Sequence, residues 1–326
     1  MIELRLWLVQ RAGMLIAIAL FILMFTLYIG NHQAGLTVNV ATTAANKGVL
    51  LALVAMAQTL PVLTGGLDLS VGMVFILCNC LASHLVVGTP SGVALGILAV
   101  LATGIVAGFA SGAIVVFGRL QPIITTLATG AIYYGLALLL RPVPGGEIDT
   151  DLADFMTYQL LDTVPTSLVL LVVVAASVWL PFRLSETGRA CLAVGSAEGA
   201  AFMSGVAIDR AKLLAYSLSG FLAAIAGLML AFITQSGEAS APIGSTYTLN
   251  SIAAVVIGGT SLFGGAGGAI GSIFGAFVLR TIEDLLFVFD LPPLWQPLFQ
   301  GIVLLTAVSL GAARIFRLRN RLELFG

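Results

Sequence analysis

The placement of charge constrains this chain more than any other feature. Residues 12–46, 48–67, 69–118, 120–140, 163–182, 213–237, 239–279 and 291–313 contain no Asp, Glu, Lys or Arg. A helix rises about 1.5 Å per residue, so roughly 20 apolar residues cross a hydrocarbon core about 30 Å thick. The interval 12–46 holds one span with a polar tail from Asn31, and 69–118 holds two around Thr89-Pro90-Ser91-Gly92. The glycine-rich interval 239–279 holds one helix or begins two, the second running to about 289, and each remaining interval holds one. The total is nine or ten.

Composition supports a lipid-facing exterior. Hydrophobic residues make up 59% and charged residues 9% of the chain, against roughly 25% charged in soluble domains. A net charge of −1 offers no basic field for nucleic acid. Lys and Arg near short loops stay on the cytoplasmic side. They cluster at Arg5 and Arg11, at Arg119, at Arg183, Arg189, Arg210 and Lys212, and at Arg314, Arg317, Arg319 and Arg321. Both termini are therefore expected inside, which requires an even number of spans and favours ten. The loop of about 184–210 then faces the cytoplasm. The acidic loop of about 141–162, with Glu147, Asp149, Asp151, Asp154 and Asp162, faces outward, as do Glu238 and Asp290. The first span is too long for a signal core and lacks a small-residue cleavage site, so it is expected to be retained. No polar interval is long enough for a soluble core. The expectation is an all-α membrane protein with residues 1–326 forming a single transmembrane domain.

Three segments stand out from the apolar background. In Thr64-Gly65-Gly66-Leu67-Asp68-Leu69-Ser70-Val71-Gly72, a carboxylate between two spans is costly unless hydrated, paired or capping a helix. Asp68 and Ser70 are read as caps of the following helix in preference to direct solute contact, with Gly65 and Gly66 permitting φ > 0 and close packing. The second segment, Gly258-Gly259-Thr260-Ser261-Leu262-Phe263-Gly264-Gly265-Ala266-Gly267-Gly268, interrupts a span. Irregular backbone at membrane depth requires protein or a water-filled path around it. Both a translocation path and tight helix crossing, with Gly264 and Gly268 or Gly271 and Gly275 four apart, fit that segment. A faint likeness between VLTGGLDLS and VIGGTSL hints at an internal repeat. The third segment, Gly195 to Gly205, combines small residues and Glu198 with Phe202 and Met203, which suits a short helix docking on a partner surface.

Absences narrow the function. No glycine cluster has the lysine of a phosphate loop, so the chain is not expected to hydrolyse nucleotide, and no cofactor or metal is expected on it. His32 and His84 are isolated, and Cys78, Cys80 and Cys191 read as buried small hydrophobes. Arg280, Glu283 and Asp284 can pair with one another. No paired carboxylates, Ser/His/Asp set or metal cluster can be assembled, which makes a membrane-embedded enzyme a weak reading.

GGLDLSVG at 65–72, the loop 195–205 and IAAVVIGGTSLFGGAGGAIGS at 252–272 resemble the permease subunits of simple-sugar ABC importers, the ribose-type family. The similarity runs over most of the chain. RLQPIITTL at 119–127 is similar to that family's entry to the fifth span, while Ala197 and Ala128 depart from its usual Asn and Gly. The resemblance implies a ten-span importer permease in the bacterial inner membrane, passing a simple sugar or similar solute to the cytoplasm. It implies three partners besides lipid: a cytoplasmic ATPase that uses the ATP, a periplasmic sugar-binding protein, and a second permease subunit, identical or homologous. It implies a translocation path or gate at Gly65, Gly66, Asp68, Ser70, Gly72, Gln121, Pro122, Thr126, Gly258, Gly259, Thr260 and Ser261. ATPase coupling falls to Gly195, Glu198, Ala200, Ala201 and Gly205. The alternatives are an autonomous carrier or channel, and an ABC permease for a non-sugar solute such as a branched-chain amino acid.

Overall fold

The computed structural model describes residues 12–33, 35–295, 297–299, 301–302 and 305–306. Its elements in chain order are α1 (Ala12–Asn31), α2 (Val38–Leu63), α3 (Val71–Leu85), α4 (Pro90–Phe117), α5 (Pro122–Leu140) and α6 (Thr150–Thr157). A two-stranded antiparallel ribbon of β1 (Gln159–Leu160) and β2 (Val164–Pro165) follows. Then come α7 (Thr166–Val174), a π-helical turn at Ala175–Trp179, α8 (Leu180–Leu184), α9 (Glu186–Ser196), α10 (Glu198–Met203), α11 (Ile208–Thr234), α12 (Ala241–Ile257) and α13 (Ala269–Val288). Among the described residues six helices are long and apolar enough to cross a membrane: α1, α2, α4, α5, the continuous stretch Thr166–Leu184, and α11. The apolar α3 and α12 are shorter.

Local chemistry explains the starts. Thr89 accepts the Gly92 N–H ahead of Pro90, whose missing N–H costs nothing in a first turn. Thr37, Asp149, Ser185 and Ser240 cap α2, α6, α9 and α12 in the same way. The core is built around α2, whose residues from Gly48 to Leu63 are all buried. Helices α11, α12 and α13 pack around it. By contrast, α1 buries only Ala17 and Tyr28 and exposes Ile22 and Leu23.

Several boundaries differ from expectation. Residues 38–46 are not a polar tail of the first span but the opening turns of α2. Their polar side chains are engaged, since Asn46 donates to the Thr157 carbonyl and Gln159 donates to Asn39 and Thr42. The interval 239–279 begins two helices, α12 and α13, separated by the glycine loop. The loop of 141–162 is structured by α6 and the ribbon, and that of 184–210 by α9 and α10. The expected tenth span at 291–313 is described only in the short pieces 291–295, 297–299, 301–302 and 305–306, and the basic residues of both termini lie outside the described residues.

These two loops sit at opposite ends of the bundle. Asp149 N–H bonds the Val86 carbonyl just beyond the C-terminus of α3. Gly265 N–H bonds the Leu63 carbonyl before the N-terminus of α3, and a Cβ on Gly195 of α9 would lie 2.0 Å from that same oxygen.

Candidate functional site

Helix α3 has 15 residues and so covers only about 22 Å. The segment 64–70 makes up the remaining depth with irregular backbone. Such a stretch persists away from water only if its peptide groups find partners; side chains from two helices serve peptide groups of the segment, and two further helices serve the Asp68 carboxylate and the neighbouring Gly72. With its amide assigned the orientation that its neighbours require, its Nε2 toward the acceptor and its Oε1 toward the donor, the Gln58 carboxamide of α2 donates to the Asp68 carbonyl at 2.8 Å and accepts the Asp68 N–H at 3.3 Å. Thr126 of α5 accepts the Leu69 N–H at 2.9 Å. Thr248 of α12 accepts the Gly72 N–H at 3.1 Å. Ser219 of α11 reaches the Asp68 carboxylate at 3.4 Å.

Asp68 is 2% exposed, and among the described residues no cation pairs with it. Its Oδ1 accepts both the N–H and the hydroxyl of Ser70. The expected cap is thus corrected. Ser70 spends its hydroxyl on Asp68, and the free N–H in the first turn of α3 is met from outside by Thr248. The carboxylate instead pins the bend that leads into the helix.

The glycines serve approach as much as turning. At the end of α2, Gly65 has φ +81°, and Gly65 N–H and Gly66 N–H bond the Val62 and Pro61 carbonyls. At the end of α12, Gly259 has φ +82°, with Gly259 and Thr260 N–H bonding Val256 and Val255. The two helix stops have the same hydrogen-bond pattern, which gives the faint sequence repeat a structural basis. A Cβ on Gly66 would meet the Tyr216 hydroxyl at 2.7 Å, and one on Gly72 would meet the Gly244 carbonyl at 2.0 Å. Pro122 packs beside Gly66, so Gly65, Gly66, Asp68, Ser70, Gly72, Pro122 and Thr126 form one cluster. Gln121 lies exposed at the start of α5 and makes no cap bond.

Of the second segment, Gly258 packs against Gly271 and Gly275 against the Ala254 carbonyl, at distances that admit no Cβ. Helix crossing therefore accounts for the Gly271/Gly275 pair. Gly264 and Gly268 do not share a helix face: Gly264 lies in the loop, against Gly65 and Gly195, and Gly268 sits at Trp179. The hydroxyls of Thr260 and Ser261 are used inside the loop, accepting the N–H of Gly268 and of Phe263.

Of the third segment, Gly195 is a packing residue against Leu63, Gly264 and Gly265 and not part of an exposed face. Glu198 opens α10 and pairs with Lys212 at 2.8 Å. Ala200 is exposed and Ala201 is buried, so Ala201 anchors the helix inward while Phe202 is 70% and Met203 85% exposed. Gly205 has φ +77° and stops α10. Cys191 is buried against the Ala211 carbonyl, and burial pushes its thiol up to about 12, consistent with inert packing. Cys78 and Cys80 are also free and buried.

Sequence reasoning passed over Gln58, Tyr216, Ser219 and Thr248. A lone amide within LVAMAQTLPVL was a legible signal, because an unpartnered amide in a span is costly. It also passed over the crossing of α4 with α11, where Gly104, Gly108 and Gly112 meet Gly220 and Tyr216. Their spacing of four was the available sign.

With this geometry in view, comparison with known proteins is informative. A family model described as "Branched-chain amino acid transport system / permease component" matches residues 40–308. The ribose import permease protein of Bacillus subtilis (strain 168) is 36% identical over 263 residues, covering 79% of this chain and 80% of that protein. The ribose import permease protein of Escherichia coli (strain K12) is 30% identical over 306 residues, covering 93% of each. The autoinducer 2 import system permease protein of Yersinia pestis (strain Pestoides F) is 33% identical over 262 residues, covering 78% of this chain and 72% of that protein. No solved structure matches the chain significantly.

Proposed function

The chain belongs to the permease-component family of branched-chain amino acid transport systems, and from that premise we propose that it is the membrane subunit of an ATP-driven importer for a simple sugar or sugar-like solute. It is a multi-pass inner-membrane transport subunit with no catalytic step of its own. The similarity to import permeases named for ribose supports the sugar reading over the amino acid in the family's description.

In this reading ten spans leave both termini and residues 184–210 inside and residues 141–162 outside. A sugar-binding protein delivers solute to the outer face, a second permease subunit covers exposed apolar helix faces, and a cytoplasmic ATPase docks on α10. The path runs past the cluster around Asp68, with Pro122 and Thr126 at its inner end.

The observation that carries the coupling assignment is the pair Phe202 and Met203, 70% and 85% exposed on a helix anchored by Ala201. Large apolar side chains side by side in water mark a surface that another protein covers. The test is co-purification of the ATPase, and binding-protein-stimulated hydrolysis in proteoliposomes, with Phe202→Asp and Met203→Asp. Both variants are expected to insert normally and to lose most ATPase association. Full association and stimulation in both would remove α10 from the coupling interface. L-leucine uptake without sugar uptake by the wild-type complex would replace the sugar reading with the amino-acid one.

A further inference from the structure

A cavity of about 270 Å³ opens between α2, α12 and α13, lined by Leu51, Ile243, Thr246, Tyr247, Asn250, Arg280 and Glu283 among others. None of the residues of the Asp68 cluster lines it, although Ile243 and Tyr247 on its wall are chain neighbours of Gly244 and Thr248, which meet Gly72. Asn250 stands about 14 Å along α12 from its start, and Arg280 about 12 Å from the end of α13, so the floor is well inside the bundle.

Two polar groups there lack partners. Asn250 is 9% exposed and makes no hydrogen bond among the described residues. The Arg280 Nε is buried and also unpartnered. Buried polar groups are normally satisfied, so the Asn250 amide left open on the cavity wall marks where hydrogen-bonding atoms of another molecule fit, while the Arg280 Nε is closed off from the cavity behind it. One wall is apolar, with Leu51, Ile243 and the Tyr247 ring, which is held 4.9 Å from Phe75.

The charges around the cavity are already balanced. Arg280 pairs with Glu283 and Asp284, and Lys47 lies 3.9 Å from Asp284. Among the described residues a carboxylate, phosphate or ammonium entering would find no open counter-charge and would lose its hydration uncompensated. A neutral molecule with several hydroxyls meets no such cost. Asn250 and Thr246 both donate and accept, Arg280 donates and Glu283 accepts, and the apolar wall takes the C–H face. The volume lies just under the usual range of about 300–1,000 Å³ for small-molecule sites, which suits a single small ring.

We propose that this cavity is a transit site for a neutral, polyhydroxylated solute, with Asn250 as its central hydrogen-bonding residue. The proposal rests on the transport reading above and adds where in the bundle the solute pauses and which residue holds it.

The test uses the complete importer in nanodiscs with a cysteine at the exposed Thr246, the three native cysteines being buried. Maleimide alkylation is timed with a panel of neutral pentoses and hexoses, with ribose 5-phosphate and with L-leucine, and uptake of the same compounds is measured in proteoliposomes. At least one neutral sugar that is transported is expected to slow alkylation of Thr246→Cys about fivefold or more, while ribose 5-phosphate and L-leucine leave it unchanged. A control cysteine at Thr43, outside the cavity, is expected to be unaffected by any of them. Adding Asn250→Leu is expected to raise the half-protecting concentration at least tenfold. A sugar that is transported without protecting Thr246→Cys overturns the transit site while leaving the function standing. Protection by L-leucine or the phosphate overturns the solute class, and neither transport nor protection by any sugar overturns both readings.

Discussion

Gln58 illustrates how much one side chain can hold. Its amide satisfies both the N–H and the C=O of Asp68, two peptide groups that no helix or strand serves. Gln58→Leu keeps similar bulk and leaves both groups without partners, each costing about 1–3 kcal/mol. The variant is expected to lose about 2–4 kcal/mol, read as a fall in unfolding temperature in detergent. A loss below about 1 kcal/mol would mean that water or a rearranged loop replaces the amide. Asp68 itself was visible in the sequence because an acid among apolar residues is conspicuous. Its partners were not, since Ser219 lies 151 residues away and Thr248 meets Gly72 across 176. Such pairings exist only after the helices assemble. In α10, Phe202 and Met203 were legible as a surface pair, whereas Ala201 reads like its exposed neighbour Ala200 and only packing separates them.

At the scale of helices, charge-free intervals pointed to the six helices long and apolar enough to cross a membrane, because an unpaired charge in lipid is expensive. The same rule misjudged residues 38–46, whose Asn and Thr side chains look like a solvated tail but are bonded to the folded loop at 157–159. Helix crossings follow the small residues. A Cβ on Gly220 would lie 2.0 Å from the Gly104 carbonyl, whereas one on Gly135 meets nothing within 4 Å. Gly220→Val must push α11 off α4, and overpacking of this kind costs about 1–3 kcal/mol. Gly135→Ala is expected to be neutral or slightly stabilising, because alanine is the better helix former by about 1 kcal/mol. Thermal unfolding of the two variants side by side checks the contrast, and equal behaviour would show that the α4–α11 contact is not tight.

For the whole molecule the separation of its two folded loops is the decisive geometry. Thr150 and Ser196 are both exposed and lie in loops at opposite ends of the bundle. With the basic residues inside, Thr150→Cys is expected to react with an impermeant thiol reagent in intact spheroplasts and Ser196→Cys only after lysis. The reverse pattern would invert the orientation, and labelling of both from outside would exclude a bundle that spans the membrane between them. Three sequence segments that looked independent, at 64–72, 195–205 and 258–268, prove to be neighbours, with Gly264 lying against both Gly65 and Gly195. Glycine clustering revealed each segment separately, but nothing in their spacing revealed that they share one place.

Where Leu63, Gly195 and Gly265 meet, peptide rests on peptide with no side chain between. Side chains absorb displacement by changing rotamer, whereas a peptide plane resists deformation. The junction therefore acts as a hard bearing. A tilt of α9 is not dissipated there but reappears as movement of the α2 terminus and of the bend at Asp68, unless the bond from Gly265 to Leu63 breaks. In the importer proposed above, work applied to the exposed face of α10 would have a stiff and short route into the bundle, and the amplitude at the far end would be set by leverage and not by slack.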